Sequence, residues 1–336
     1  MDRVIAAAIL AMVISILAGP KFIDFLRDRE LGQQIRDDMP AGHSVKQGTP
    51  TMGGLLMLFG AVIPFLILSK YTLPGLAILG VTLGCGAIGF LDDFIKLRHR
   101  RSLGLSGRWK LLLLVAISIF LGYAAHREGL NTKVYLPALG TVDLWWFWYV
   151  LIFLVVAGAA NGVNLTDGID GLAAGTGIIS LITFTAICIF TFIRLRQVDQ
   201  PNQVYLDMAI IGGALVGGAI GFLWFNAFPA DVFMGDTGSM AIGGALAGFA
   251  VMTKTEALLL LVGGIFVIEA LSVILQVISF KYWGRRIFLM APIHHHFEMK
   301  AWSDTKIMVR FWILGAIICS SAFALYFQYF FFFPRP

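Results

Sequence analysis

The chain has 336 residues, 58% of them hydrophobic and only 13% charged, with a mean hydropathy of +0.83 and a formal net charge of +5. A water-soluble protein carries roughly a quarter charged residues, so a wholly soluble fold is excluded, and the 37 glycines suit helices that approach closely in lipid. Cys85, Cys188 and Cys319 each lie in an apolar stretch, an odd set that supports neither a disulfide framework nor a metal cluster.

Apolar runs of about 17–25 residues cross a bilayer as helices. The sequence predicts ten, near 3–20, 51–70, 73–91, 110–126, 144–160, 172–193, 205–224, 238–253, 256–280 and 307–333. Because 205–253 is broken only by a short polar segment, nine and eleven are the alternatives. The first run lacks a strongly basic leader and reads as a retained helix, not a signal peptide. The expectation is an all-α integral membrane protein, one polytopic domain over 1–336, with both termini on one side. Loops 21–50, 92–110 and 281–306 lie on the other side and hold 16 of the 25 Lys and Arg. Positive charge marks the cytoplasmic face, so these loops are expected inside and both termini outside. Trp145, Trp146, Trp148 and Tyr149 open the fifth span at outer headgroup depth. Just before them, Val134, Tyr135, Gly140 and Val142 suggest a short hairpin.

Carboxylates are costly in lipid, roughly 2.5–3.5 kcal/mol each at mid-bilayer, yet acidic pairs stand at several cytoplasmic span ends. His43–Gly54 is a Gly-rich lead into the second span that carries Lys46, by itself no more than a surface lysine. Gly89–Lys96 holds Asp92, Asp93 and Lys96, followed by the basic run Arg98, Arg100, Arg101, Arg108 and Lys110. An isolated Asp-Asp at a helix end is as readily a charge anchor as a site. Asn161–Gly171 packs Asn161, Asn164, Asp167, Asp170 and three glycines between two apolar spans, more polar groups than a turn requires. Glycines let backbone approach a ligand, while Asn and Asp offer the hard oxygens that Mg2+ prefers alongside substrate phosphate. Asn226–Ser239 brings Asp231, Phe233 and Asp236; Asp236 opens the eighth span, where capping alone would account for it. Ala291–Glu298 contains His294, His295 and His296, which an extended loop would point alternately to two sides. Imidazoles there can bond phosphates or sugar hydroxyls; zinc lacks a supporting Cys or i,i+4 His. All these segments fall on the same predicted face. Acids, lysines and histidines gathered there suit phosphoryl chemistry, which needs charge neutralisation and alignment more than a strong nucleophile.

KQGTPTMGG at 46–54, GFLDDFIK at 89–96, NGVNLTDGIDGL at 161–172, FMGDTGS at 233–239 and APIHHHFE at 291–298 together resemble the phospho-N-acetylmuramoyl-pentapeptide transferases. The Asp-Asp and NLTDG motifs are shared with the wider superfamily of polyprenyl-phosphate sugar-phosphate transferases; the triple histidine and KxGTPTMGG belong to the muramoyl branch. The resemblance implies an enzyme of the bacterial cytoplasmic (inner) membrane. It would transfer phospho-N-acetylmuramoyl-pentapeptide from its UDP form to undecaprenyl phosphate, giving lipid I and UMP for peptidoglycan. It implies Mg2+, Asp92, Asp93, Asp236 and His294 as catalytic residues, and Asp236 with the Asn164 oxygen as metal ligands. Lys46, Lys96, Asn164, Asp167, Asp170, Phe233, His295 and His296 would bind substrate. The family's ninth helix is bent around a lipid groove, where Glu269 would sit as a polar lining. No nucleic acid is expected as partner, and a homodimer is admitted without being required. The alternative is a sister transferase that uses UDP-N-acetylglucosamine, against which the triple histidine argues. A secondary transporter would place its acids at mid-span. Direct attack by the lipid phosphate is favoured over a covalent phospho-sugar enzyme, since a phosphate dianion is already nucleophilic.

Overall fold

The computed structural model describes residues 1–29, 48–99, 103–136, 140–197 and 203–332. In chain order α1 (Asp2–Asp28), α2 (Gly54–Leu68), α3 (Leu73–His99) and α4 (Gly107–Arg127) precede a hairpin of β1 (Lys133–Leu136) and β2 (Gly140–Asp143). Then come α5 (Phe147–Thr166), α6 (Leu172–Gln197), α7 (Gln203–Asn226) and α8 (Gly235–Met252). The chain ends with α9 (Leu259–Val262), α10 (Gly264–Trp283), α11 (Ile293–Glu298) and α12 (Asp304–Phe332). Among the described residues, eight helices are long and apolar enough to cross a membrane, namely α1, α3, α4, α5, α6, α7, α10 and α12. The chain is therefore a multi-pass, helical membrane protein. The hairpin expected before the fifth span is present, with β1 and β2 antiparallel and Lys133 opposite Asp143.

The largest departures from the sequence expectation are at three span ends and one division: the first predicted span runs on to Asp28 and the fifth to Thr166. The third predicted span runs on to His99, which puts Asp92 and Asp93 inside α3, about two turns before its end. Lys96, Arg98 and His99 fill that last turn, where cations offset the helix dipole. The ninth predicted span is divided, with Gly263 separating the single turn of α9 from α10.

Small residues bring the backbones together. Gly213, Gly217 and Gly221 form one stripe on α7, and a Cβ at each would come within 2.7, 1.9 and 2.8 Å of the carbonyls of Val4, Ala8 and Met12 in α1. Such small-xxx-small packing replaces the hydrophobic drive that lipid removes. α8 is the central helix, buried from Thr237 through Met252. It lies between α3, where a Cβ on Gly89 would stand 2.0 Å from the Asp236 carbonyl, and α5, whose Ala159 carbonyl would stand 2.4 Å from a Cβ on Gly243 of α8. That contact with α3 brings Asp92 and Asp93 beside the start of α8.

The opposite end of the bundle is held by other polar groups. Asp207, fully buried in α7, accepts bonds from Ser69 Oγ, Lys70 N, Thr72 N and Thr72 Oγ1 at 2.7–2.9 Å. A buried bond to a charged acceptor is worth about 1.5–3 kcal/mol, so this carboxylate locks the turn between α2 and α3. In the turn between α8 and α9, Glu256 accepts from Trp148 Nε1 of α5 at 2.8 Å and pairs with Lys254 at 3.0 Å.

Candidate active site

The site forms where α3 ends and α4, the α5–α6 turn and α8 begin. Asp92, Asp93 and Asp236 each offer a carboxylate oxygen, all within 4.8 Å of one another. Two ammonium groups stand among them. Lys96 Nζ lies 2.6 Å from Asp92 Oδ2 and 3.2 Å from Asp236 Oδ2; Lys110 Nζ, from the first turn of α4, lies 3.3 Å from Asp92 Oδ1 and 3.1 Å from Asp236 Oδ2. Lys96 and Asp92 are one helical turn apart on α3, the spacing at which side chains meet. Leu105 N–H adds a third donor to Asp92 at 2.8 Å.

Asp93 faces the other way. Its Oδ1 accepts from Asp236 N at 3.1 Å, and its Oδ2 accepts from Thr237 N at 3.0 Å and Thr237 Oγ1 at 2.8 Å. A carboxylate from α3 thus caps α8, where the free N–H groups and the helix dipole favour negative charge. Capping alone, one reading of Asp236, does not account for it: Asp93 has taken the cap, and the Asp236 side chain faces the lysines. Gly235 permits the arrangement. It has φ +72°, and a Cβ there would stand 2.7 Å from Asp93 Oδ2.

Asn164, at the end of α5, donates to Asp236 Oδ1 at 2.8 Å and to Ser239 Oγ at 3.0 Å. Its amide nitrogen thus faces the acid, and a role as oxygen ligand requires the amide to turn over. Asp167 follows directly after α5. Burial, then the nearby charges of Asp236, Asp93 and Asp170, push its carboxyl up to about 8 against a backbone bond from Gly235. Asp170 is buried and accepts from Ala230 N at 3.2 Å, which joins the α5–α6 turn to the loop before α8. Phe233, half-buried on that loop, bonds through its backbone to Pro50 and Gly53.

The three histidines lie on the short helix α11, not in an extended loop, so they point in three directions about 100° apart. His294 is fully buried, and its Nε2 abuts Gly168, where a Cβ would come within 2.3 Å. It therefore stands beside the Asp167 turn and the acidic cluster. His295 is buried, its ring tilted against that of His294 with centroids 4.1 Å apart, and pairs with Glu298. His296 turns outward, accepting from Leu289 N at 3.1 Å. Lys46 lies outside the described residues.

Two members of this site carried little weight in the sequence. Lys110 stood only at the end of a basic run. Its signal was a lysine directly followed by four leucines, since a cation drawn into an apolar helix needs an anionic partner. Glu269 was expected to line a lipid groove. It is fully buried in α10, 3.2 Å from His294 Nδ1, because a carboxylate at that depth is stable only against a polar partner.

The class defined by many apolar helices around an acidic, lysine-bearing site is a multi-pass membrane transferase: the model of Glycosyl transferase family 4 matches residues 75–254, more than half of the chain. Residues 46–58 match the phospho-N-acetylmuramoyl-pentapeptide-transferase signature 1. Relatives described as phospho-N-acetylmuramoyl-pentapeptide-transferase include one from Halalkalibacterium halodurans, 46% identical over 94% of this chain and 95% of the relative. Another from Rubrobacter xylanophilus is 44% identical over 97% and 98%, and one from Thermobifida fusca is 41% identical over the same shares. The chain belongs to the phospho-N-acetylmuramoyl-pentapeptide-transferase family.

Proposed function

We propose that this protein transfers phospho-N-acetylmuramoyl-pentapeptide from its UDP-activated form to undecaprenyl phosphate, giving lipid I and UMP, at the cytoplasmic face of the bacterial inner membrane. The observation that carries the reading is the acidic cluster of Asp92, Asp93 and Asp236 clasped by Lys96 and Lys110 at one end of the bundle. In the proposed topology α2 and α8 also span, with the α9–α10 unit as the ninth of ten spans and both termini outside.

The donor set fits Mg2+: hard carboxylate oxygens and a carboxamide, which substrate phosphate would complete. The ammonium groups between Asp92 and Asp236 hold these carboxylates together much as a divalent cation would. Asp236 and Asn164 would be the ligands, while Asp93 keeps its cap on α8 and Asp92 stays outside the metal's set. Bound there, the ion would neutralise developing charge on the diphosphate. Lys96 and Lys110 would then turn to the substrate phosphates. Asp92, released by them, orients the lipid phosphate and takes its proton if it carries one. A lipid phosphate oxygen forms the new P–O bond to the β-phosphorus as the bond to the α-phosphate oxygen breaks, and UMP leaves with the electron pair. Asp167, Asp170, Phe233, His295, His296 and Lys46 would hold the nucleotide and sugar. An apolar cavity of about 480 Å³ between α5, α10 and the hairpin, lined by Leu151, Leu154, Phe266 and Leu271 among others, suits part of the isoprenoid chain.

Detergent-solubilised protein should release UMP from UDP-N-acetylmuramoyl-pentapeptide only with both polyprenyl phosphate and Mg2+ present. Equal or better turnover of UDP-N-acetylglucosamine would sink this reading.

Asp167 provides a pH signature. With its carboxyl pushed up to about 8, it holds a proton below that pH and is anionic above it. Cation affinity should therefore strengthen as pH rises through 8. Mn2+ titrations followed by electron paramagnetic resonance at pH 6.5 and 9 should show this rise in the wild type and a flatter response in Asp167→Asn. Equal pH dependence in both proteins would remove Asp167 from the cation's surroundings.

A further inference from the structure

Glu269 and His294 face one another across α10 and α11, and both side chains have 0% exposure. Glu269 Oε1 is 3.2 Å from His294 Nδ1, and Glu269 Oε2 accepts the His294 backbone N–H at 3.5 Å. Neither imidazole nitrogen has an aligned hydrogen bond among the described residues, nor does Glu269 Oε1. A carboxylate buried this deeply in a membrane helix is costly unless a cation or donor meets it. The imidazole is the group that meets it. On the far side of the ring, Nε2 abuts Gly168, beside Asp167 and the acidic cluster.

We infer that Glu269 is a positioning residue: its carboxylate holds the Nδ1 side of the His294 ring toward α10, so that Nε2 faces the Asp167–Gly168 turn, where the substrate diphosphate would lie. The two nitrogens of a histidine are set by the bond the other one makes. With the proton kept on Nδ1 by the neighbouring carboxylate, Nε2 presents a lone pair when the ring is neutral and an N–H when it is charged. Without the carboxylate, the ring can rotate and offer the wrong atom. The inference rests on the transferase reading, since it assigns Nε2 to the reaction's side of the ring.

The test is the UMP-release assay on purified full-length protein, with kcat and KM determined for four variants. Loss of a partner that orients a functional histidine costs about 10- to 100-fold, so Glu269→Gln should lower kcat by that much. KM should stay within about twofold, because substrate binding is retained. Glu269→Asp should recover part of the loss. In a His294→Asn background, Glu269→Gln should cost nothing further, because a residue that acts only through His294 has no effect once His294 is gone. An unchanged kcat, a change in KM alone, or losses that multiply in the double variant would each overturn the inference. Should thermal unfolding show that Glu269→Gln does not fold, Glu269→Asp, alone and with His294→Asn, supplies the same comparison. A wild-type protein that releases no UMP would instead refute the transferase reading, so the two failures are distinct.

Discussion

Asp236→Asn is expected to lower turnover about 100- to 1000-fold at low Mg2+, the cost of losing one preorganised charge at a phosphoryl-transfer site, and to raise the Mg2+ concentration for half-maximal rate. The reason lies in how many groups converge on this carboxylate. Lys96 and Lys110 both reach its Oδ2, and Asn164 donates to its Oδ1. A carboxamide keeps the shape and can still accept from Asn164, but it cannot balance two ammonium charges or serve as an anionic ligand. The fold should tolerate the change, because the backbone at this position is held by Asp93 and not by the Asp236 side chain. Excess Mg2+ should restore part of the rate. A Mg2+ titration of UMP release checks this, and an unaltered metal requirement would mean that Asp236 is not a ligand.

Gly168→Ala should lower kcat by about 100-fold, comparable with misplacing a reacting group by 1 Å, although it adds only a single methyl group. The new Cβ would lie 2.3 Å from His294 Nε2 and 2.9 Å from its Cε1. Neither side can easily yield. The ring is buried against Glu269 and beside the His295 ring, and the turn is tied to the loop before α8 through Asp170. His294 would have to leave its place beside Asp167. The expected signature is a fall in kcat with helical content, by circular dichroism, unchanged. Near-wild-type kcat would show that Nε2 is not needed where the structure puts it.

Membrane class was legible in the composition, because a chain with so few charges cannot solvate a surface. The helices were legible too, apart from where α1, α3 and α5 end and the division at Gly263, since insertion into lipid imposes length and apolarity on each segment separately. The five motifs pointed to their chemistry through residue types that lipid otherwise excludes. What each acid does was not legible. Asp92 and Asp93 are adjacent in sequence and equivalent by composition, yet one meets two lysines while the other caps a helix more than 140 residues away.

Local sequence dictates what a segment must bury and what it cannot leave unpaired. The choice of partner belongs to the packing of α3 on α8 and of α11 on α10. There, glycines let distant backbones touch, and the cost of an unmatched buried charge selects among the few groups within reach.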